Sequence, residues 1–286
     1  MLAITAANGK LGQAVIAELQ KLKIAPSNVR LTARSTEKLG DLNIHGFDVE
    51  RADYDDPASM EKAFAGIDTL LLISSAGPNE ARIANHRSAI DAAKKVGVKR
   101  IVYTSFTNPT PESKFIWAAP HVDSEAYLKA SGLTYIILRD NQYALNLDSL
   151  LAQAKESGVF AIPGATGKVA YITHQDVASA IVAVLTGKGQ DNTIYELTGP
   201  EAFNADDIAK VLSAELGKKI SVIDATLDSF KEFFRSIGMP EFVVEGLSSI
   251  YVASGAGEYS EVSNDVNLLT GKPATSLRDY IRSYLK

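Results

Sequence analysis

The chain contains no cysteine among its 286 residues. Disulfides, thiolate metal sites, iron–sulfur clusters and cysteine nucleophiles are therefore excluded. Histidine is scarce as well: there are four, with no His-Glu-x-x-His pair, which argues against a zinc hydrolase. A basic excess is missing, because 29 Lys and Arg stand against 34 Asp and Glu for a net charge of −5. Nucleic acid is accordingly not an expected partner, since such binding rests on basic patches. Long apolar runs are absent. Stretches such as 70–73 are strand-sized, far below the roughly 20 residues of a membrane helix, so no membrane partner is expected. The start, Met1-Leu2-Ala3-Ile4-Thr5, runs straight into a motif and lacks signal-peptide architecture. What remains is an ordinary soluble composition, 46% hydrophobic and 22% charged, and the cytoplasm is the expected location.

What is present is alternation. Short β-branched or Leu-rich runs at about 2–5, 29–32, 47–51, 69–73, 100–104 and 134–138 read as strands. Amphipathic stretches at about 10–22, 57–64, 81–96 and 122–130 read as helices between them. Near-continuously apolar strands suit a parallel sheet covered on both faces, and strict β-α order predicts a doubly wound α/β fold. Gly97 and Gly132 read as helix ends before a strand. After about residue 140 the pattern loosens: Gly158, Gly164 and Gly167 punctuate a loop-rich stretch before a polar helix cap within 172–176. A strand at about 193–197 precedes helical patterns at about 204–216, 226–237, 240–250 and 275–285. We expect a dinucleotide-binding domain over 1–140 and a smaller substrate-cleft lobe over 141–286, interleaved with the main sheet.

The most informative stretch is Thr5-Ala6-Ala7-Asn8-Gly9-Lys10-Leu11-Gly12, placed directly after the first strand. Glycines at a strand-to-helix turn let backbone amides approach a pyrophosphate, and the helix N-terminus stabilises its charge. A tight turn with close packing is the plainer alternative. Strand two ends at Arg34, with Lys38 four residues on, where an NAD enzyme usually carries an acid. Arginine pairs with a 2′-phosphate, so NADP (NADPH) is the favoured cofactor. Asp53 and Tyr54 follow strand three and would flank the adenine, while Ser74 and Ser75 follow strand four and would face ribose or phosphate. Strand-end serines also serve as caps and turn formers.

The ordered series formed by this turn, Ala52-Asp53-Tyr54, Leu71-Leu72-Ile73-Ser74-Ser75, His86 through Lys94, Tyr103-Thr104-Ser105, Leu138-Arg139, Gly164 with Gly167, and Gly271-Lys272-Pro273 spans nearly the whole chain. It resembles the NmrA-like branch of the atypical short-chain dehydrogenase/reductases, and within it the NADPH-dependent quinone oxidoreductases and triphenylmethane reductases. The resemblance implies a Rossmann domain that binds NADPH and a C-terminal part that closes a substrate cleft.

Three departures stand out. Ala6 replaces the first glycine of the family's Thr-Gly-Ala-Thr-Gly turn; where φ is positive, alanine carries strain, but a methyl is the smallest intrusion. The family's Leu-Arg-Asn is interrupted, because Leu138-Arg139 is followed by Asp140-Asn141, so the asparagine role is lost or displaced to Asn141. The Tyr-x-x-x-Lys relay of ordinary members is missing, and His121-Val122-Asp123-Ser124-Glu125 stands at that helix position. His121 and Glu125, four apart, either assist protonation or form an ordinary ion pair. His86 reads as a hydrogen-bonded core histidine, and Phe230, Phe233 and Phe234 as core or cleft wall. Tyr143 is the candidate for stacking on a flat substrate or on the nicotinamide. Ser105 is a candidate hydroxyl near the chemistry, with a loop-capping role as the alternative.

These residues lead to an NADPH-dependent oxidoreductase that transfers hydride to quinones or similar flat, electron-poor aromatics. Such an acceptor makes a strong general acid less necessary than a ketone does, in line with the missing Tyr-Lys pair. The resemblance also implies alternatives: a triphenylmethane-dye reductase, or an NADP-binding redox sensor without turnover. The expected partner is a small aromatic acceptor, and a homodimer is left open.

Overall fold

Each apolar run of the first half forms a strand that leads into a helix. In the computed structural model, which describes residues 1–286, β1 (Leu2–Ile4) leads to α1 (Lys10–Lys21), β2 (Val29–Ala33) to the short α2 (Gly40–Ile44), and β3 (Asp48–Arg51) to α3 (Pro57–Phe64). Then β4 (Thr69–Leu72) leads to α4 (Asn79–Lys95), β5 (Arg100–Phe106) to α5 (Ala119–Ala130), and β6 (Thr134–Asp140) to α6 (Asp148–Ser157). The second half adds β7 (Val159–Ile162), α7 (His174–Leu185), β8 (Thr193–Leu197), α8 (Ala205–Leu216), β9 (Ser221–Asp224), α9 (Leu227–Ser236), α10 (Glu241–Gly255), α11 (Asp265–Thr270) and α12 (Leu277–Leu285).

Seven strands make one parallel sheet in the order β3-β2-β1-β4-β5-β6-β8. Successive side chains point to opposite faces, and this sorts the core into two layers. Ile4, Leu71, Val102, Ile136 and Leu138 pack with α1, α7 and α11 on one face. Ala3, Leu70, Leu72, Ile101, Tyr103 and Ile137 pack with α3, α4 and α5 on the other. Each fully buried side chain of this kind contributes about 1.5–3 kcal/mol. The residues after 140 divide. Strand β8 and helices α7 and α11 complete the main sheet and its layer, while α6, α8, α10 and α12 enclose a separate apolar cluster around Phe160, Val211 and Tyr259. There β7 pairs in parallel with β9.

Several expected bounds shift for identifiable reasons. Strands β5 and β6 run two residues further, to Phe106 and Asp140, because the ladder pairs Ser105 with Arg139 and Phe106 with Asp140. Polar residues are held in strand by a paired neighbour where apolar pattern alone stops. Within the stretch read as loop-rich lie α6 and β7, joined at Gly158, which is left-handed at φ 76°. Strand β9 is mostly exposed, so it lacks the apolar signature of a core strand. The cap before α7 is Thr173, whose hydroxyl accepts from the Asp176 amide. Of the three phenylalanines of α9, only Phe234 is buried; Phe233 stands exposed.

The sheet order places the switch in winding between β1 and β4, where successive strands begin to be added on the other side, and this opens a crevice beyond their carboxyl ends. The turn after β1 is built by close backbone approach. A Cβ on Gly12 would sit 2.6 Å from the Ala6 carbonyl and 2.7 Å from the Ala7 Cα, so α1 packs there only without a side chain. Ala6 itself lies at φ 48°, in the region that favours glycine. Left-handed backbone costs alanine about 1–2 kcal/mol, partly offset by glycine's larger unfolded-state entropy of about 0.4–1 kcal/mol. Ala6→Gly is therefore expected to raise stability by roughly 0.5–1 kcal/mol and to bind cofactor at least as well. Denaturant melts and NADPH calorimetry check this. A loss of affinity of about tenfold with the fold intact would show that the methyl serves this loop.

Candidate active site

At the carboxyl end of β1 the chain turns through Ala6–Gly9, closed by the Gly9 amide donating to the Ala6 carbonyl at 2.9 Å. Gly9 caps α1 without a side-chain bond, and no acid stands in the first turn. The helix N-terminus thus keeps its positive end for an outside anion. Asn8 donates to the Ser35 carbonyl at 3.2 Å, which ties the turn to the end of β2. Arg34 is exposed on the same cavity wall. One strand over, Arg51 is held by Asp53 and Asp56 at 3.0 and 2.9 Å, whereas no acid pairs with Arg34. Tyr54 presents its ring here, because its hydroxyl is already engaged 2.7 Å from both Thr5 Oγ1 and the Ile73 carbonyl.

The end of β4 is held by histidine. The Ser75 amide donates to His86 Nε2 at 2.8 Å, so Nδ1 carries the proton and faces Ser124 Oγ at 2.7 Å. Burial pushes His86 down to about 3, with the Arg82 charge adding to the effect. His86 is fully buried and bonded on both nitrogens, the core role its position suggested. One turn earlier on α4, Arg82 donates through Nη2 to Ser74 Oγ at 2.9 Å and to His121 Nε2 at 3.0 Å. His121 Nδ1 lies 2.9 Å from the Tyr103 hydroxyl. Both imidazole nitrogens of His121 are thus committed, and burial together with Arg82 holds its pKa well below the usual range.

The expected His121–Glu125 pair does not form. Glu125 instead takes the Ser105 hydroxyl at 2.8 Å and two bonds from Arg139 at 2.8 and 2.7 Å. Burial pushes Glu125 up, but Arg139 outweighs it and keeps the carboxyl below its ordinary value. Ser105 lines the cavity with its proton already given to Glu125. His121 likewise lines the cavity as a neutral bridge and has no ionised proton to donate.

The interruption of Leu-Arg-Asn resolves as a replacement. Asp140 occupies the cleft position at the end of β6, and Asn141 does not reach the cavity. Asn141 is fully buried beside the second apolar cluster, donating to the Tyr259 carbonyl at 3.1 Å and accepting from the Gln142 amide at 2.7 Å. Its assignment as a cofactor contact is corrected accordingly. Tyr143 donates to Asp140 Oδ2 at 2.5 Å, and its ring stacks on His174 with centroids 3.9 Å apart. Asp140 Oδ1 is buried without a partner, as is His174 Nδ1. Burial raises the Asp140 carboxyl to about 7 and lowers His174 to about 4.

These residues line two connected cavities. One of about 510 Å³ holds Ala6, Asn8–Gly12, Arg34, Asp53, Tyr54, Ser74 and Ser75. The other, about 490 Å³, is walled by Phe106, Trp117, Tyr143, Phe242 and Val243, with Ser105, Arg82, His121, Asp140 and His174 among its polar groups. Leu11 and residues 73–77 belong to both. The polar first half, with its side-chain-free approach at Gly12, fits an elongated dinucleotide; the apolar second half fits a flat ring. Arg82, Asp140, His174 and Trp117 were not anticipated. A signal existed for Asp140, at the broken Leu-Arg-Asn, and for Arg82, one helical turn before His86.

The sequence profile of the NAD(P)H-binding family matches residues 6–188. The chain belongs to this family. It is 33% identical to quinone oxidoreductase 2 of Escherichia coli over 281 residues, covering 98% of this chain and 97% of that protein. The crystal structure of that NADPH-dependent enzyme with NADPH superposes with a TM-score of 0.93 at 32% identity, covering both chains fully at 100%. Triphenylmethane reductase of Citrobacter sp., solved with NADP(H), gives 0.92 at 32% identity over 99% of each chain. An NAD(P)H azoreductase of Xenophilus azovorans is 25% identical over 99% of this chain and 98% of its own. The fold is Rossmann-like and the cofactor is a nicotinamide dinucleotide, as the glycine turn indicated. No helix is long and apolar enough to cross a membrane.

Asp140 generates a pH prediction. With a folded value near 7 against an ordinary 3.8, the folded chain keeps a proton that the unfolded chain releases. Stability from this group is lost as pH rises from about 4 to 7, by roughly 4 kcal/mol in total. Asp140→Asn is expected to remove that slope and to be markedly more stable relative to wild type at about pH 8 than at about pH 4.5. Urea midpoints across the range measure it; a wild-type-to-variant difference that stays constant with pH would show that Asp140 titrates as an ordinary carboxyl.

Proposed function

We propose that this protein is an NADPH-dependent oxidoreductase that reduces quinones or similar flat, electron-poor aromatics by direct hydride transfer. The observation that carries this reading is the junction of a polar dinucleotide cavity with an aromatic-walled one at Leu11 and residues 73–77. The cofactor supplies the hydride chemistry, while the protein supplies orientation and a largely apolar cleft. The amides at the start of α1 hold the pyrophosphate, Arg34 takes the 2′-phosphate, Asp53 and Tyr54 flank the adenine, and Ser74 and Ser75 stand by the ribose. Tyr143, braced between Asp140 and His174, offers an aromatic surface to the acceptor. His121 and Ser105 act as fixed polar scaffolding, because the proton each could give is already bonded within the protein.

The test is NADPH oxidation, followed by loss of the dihydronicotinamide absorbance, with quinones, azo dyes and triphenylmethane dyes in parallel. The single tryptophan, Trp117, lines the acceptor cavity and gives a second readout, since an aromatic acceptor there quenches its fluorescence. NADPH binding without oxidation by any acceptor would favour a regulatory NADP-binding protein instead.

Arg34 decides cofactor choice in this reading. Arg34→Ala is expected to weaken NADPH binding by about 1.5–3 kcal/mol, the size of a hydrogen bond to a charged group, and to leave NADH nearly unchanged. Calorimetry with both cofactors checks it, and equal losses would rule Arg34 out as the phosphate partner.

A further inference from the structure

Arg82 is a buried cation without a counterion. It is 7% exposed on α4, yet it forms no ion pair, and its hydrogen bonds go to two neutral acceptors, Ser74 Oγ and His121 Nε2. Its Nε is buried with no partner at all. The acids of the adjacent helix are engaged elsewhere: Asp123 with Arg87, and Glu125 with Arg139 and Lys129. Asp140, on the same cavity, is bonded to Tyr143. An unpaired charge taken out of water costs several kcal/mol, and proteins normally relieve it with a partner. Burial accordingly lowers the Arg82 pKa. Arg82 lines the aromatic half of the cleft and is absent from the wall of the other half.

We propose that Arg82 is the anion-receiving catalytic residue of the acceptor half, binding the oxygen that becomes negative when a quinone is reduced. The inference rests on the quinone-reductase reading. In that step the quinone takes up a hydride, two electrons and one proton, from NADPH, which is oxidised to NADP⁺. One carbonyl oxygen gains the hydrogen, the ring becomes aromatic, and the displaced electron pair rests on the other oxygen. Water supplies the last proton to give the hydroquinone. Arg82 is held beforehand by Ser74 and His121, so it meets the oxyanion without reorganising, and its charge is compensated only as that oxyanion forms. The same arrangement makes an acceptor or inhibitor that is already anionic a preferred occupant.

The test uses Trp117 quenching in the full-length protein saturated with NADP⁺, where no turnover occurs. Two probes are compared: 2-hydroxy-1,4-naphthoquinone, ionised at neutral pH, and its neutral 2-methoxy ether. The wild type is expected to bind the anion at least about tenfold more tightly. Arg82→Gln is expected to abolish that preference while NADP⁺ affinity stays within about twofold, and Arg82→Lys to keep part of it. In turnover with the neutral ether, Arg82→Gln should lower kcat by about 10²-fold or more with little change in KM. Equal binding of the two probes by the wild type overturns the proposal without any variant. So does an equal loss of NADP⁺ affinity in Arg82→Gln, which would make Arg82 a cofactor ligand. Turnover of the ether without anion preference removes the Arg82 role alone, whereas failure of both probes to bind and to oxidise NADPH removes the quinone-reductase reading with it.

Discussion

Pairing of the three-residue strand β1 with β2 on one side and β4 on the other is the constraint on which the rest depends. It puts the reversal of strand order in the middle of the sheet and so fixes where the crevice opens. Everything chemically interesting then hangs from strand ends: the Ala6–Gly12 turn from β1, Arg34 from β2, Asp53 and Tyr54 from β3, Ser74 and Ser75 from β4, Ser105 from β5 and Asp140 from β6. The approach of α1 to this point is close enough to forbid a Cβ at Gly12. A cofactor pyrophosphate can come near the backbone for the same reason: nothing projects between them.

A second constraint is polar rather than apolar. Behind the ends of β4 and β5 lies a buried network in which Arg82, His121 and Tyr103 form one chain, and Ser75, His86 and Ser124 another. Both histidines are neutral because burial and one nearby guanidinium disfavour a further charge. Such networks are costly when incomplete and rigid when complete. This one is complete except at Arg82 Nε, which is buried without a partner. The cleft is therefore electrostatically uneven, with an unpaired cation on one wall and, toward α7, a carboxyl held near neutrality by Asp140's burial.

Much of the fold was legible. The strands and helices of the first half, Gly97 and Gly132 as left-handed helix ends, and the cofactor turn all follow from local apolar period and glycine placement. In the second half legibility falls. Strand β9 is mostly exposed and carries no core-strand pattern, while β7 is apolar throughout but only four residues long and set among the turn-forming Gly158 and Gly164. Their pairing is set by contacts some sixty positions apart, for instance Val159 with Ser221.

By itself the sequence determined which residues gather at the polar cavity, because they lie at the ends of neighbouring strands and a parallel sheet brings such ends together whatever the loops do. It also determined that His86 would be buried, from its place on the α4 apolar face. Only the tertiary structure decided the partners of polar side chains. Glu125 is four residues from His121 yet bonds Arg139, because the guanidinium gives its carboxylate two charge-assisted bonds while both imidazole nitrogens are taken by Arg82 and Tyr103. Asn141 is adjacent to Asp140 but leaves the cleft, because successive residues point in opposite directions and its side chain is drawn to the Tyr259 carbonyl. Arg82 is unpaired for a reason no spacing rule contains: the acids of the adjacent α5, Asp123 and Glu125, already belong to other cations, and Asp140 across the cavity is bonded to Tyr143.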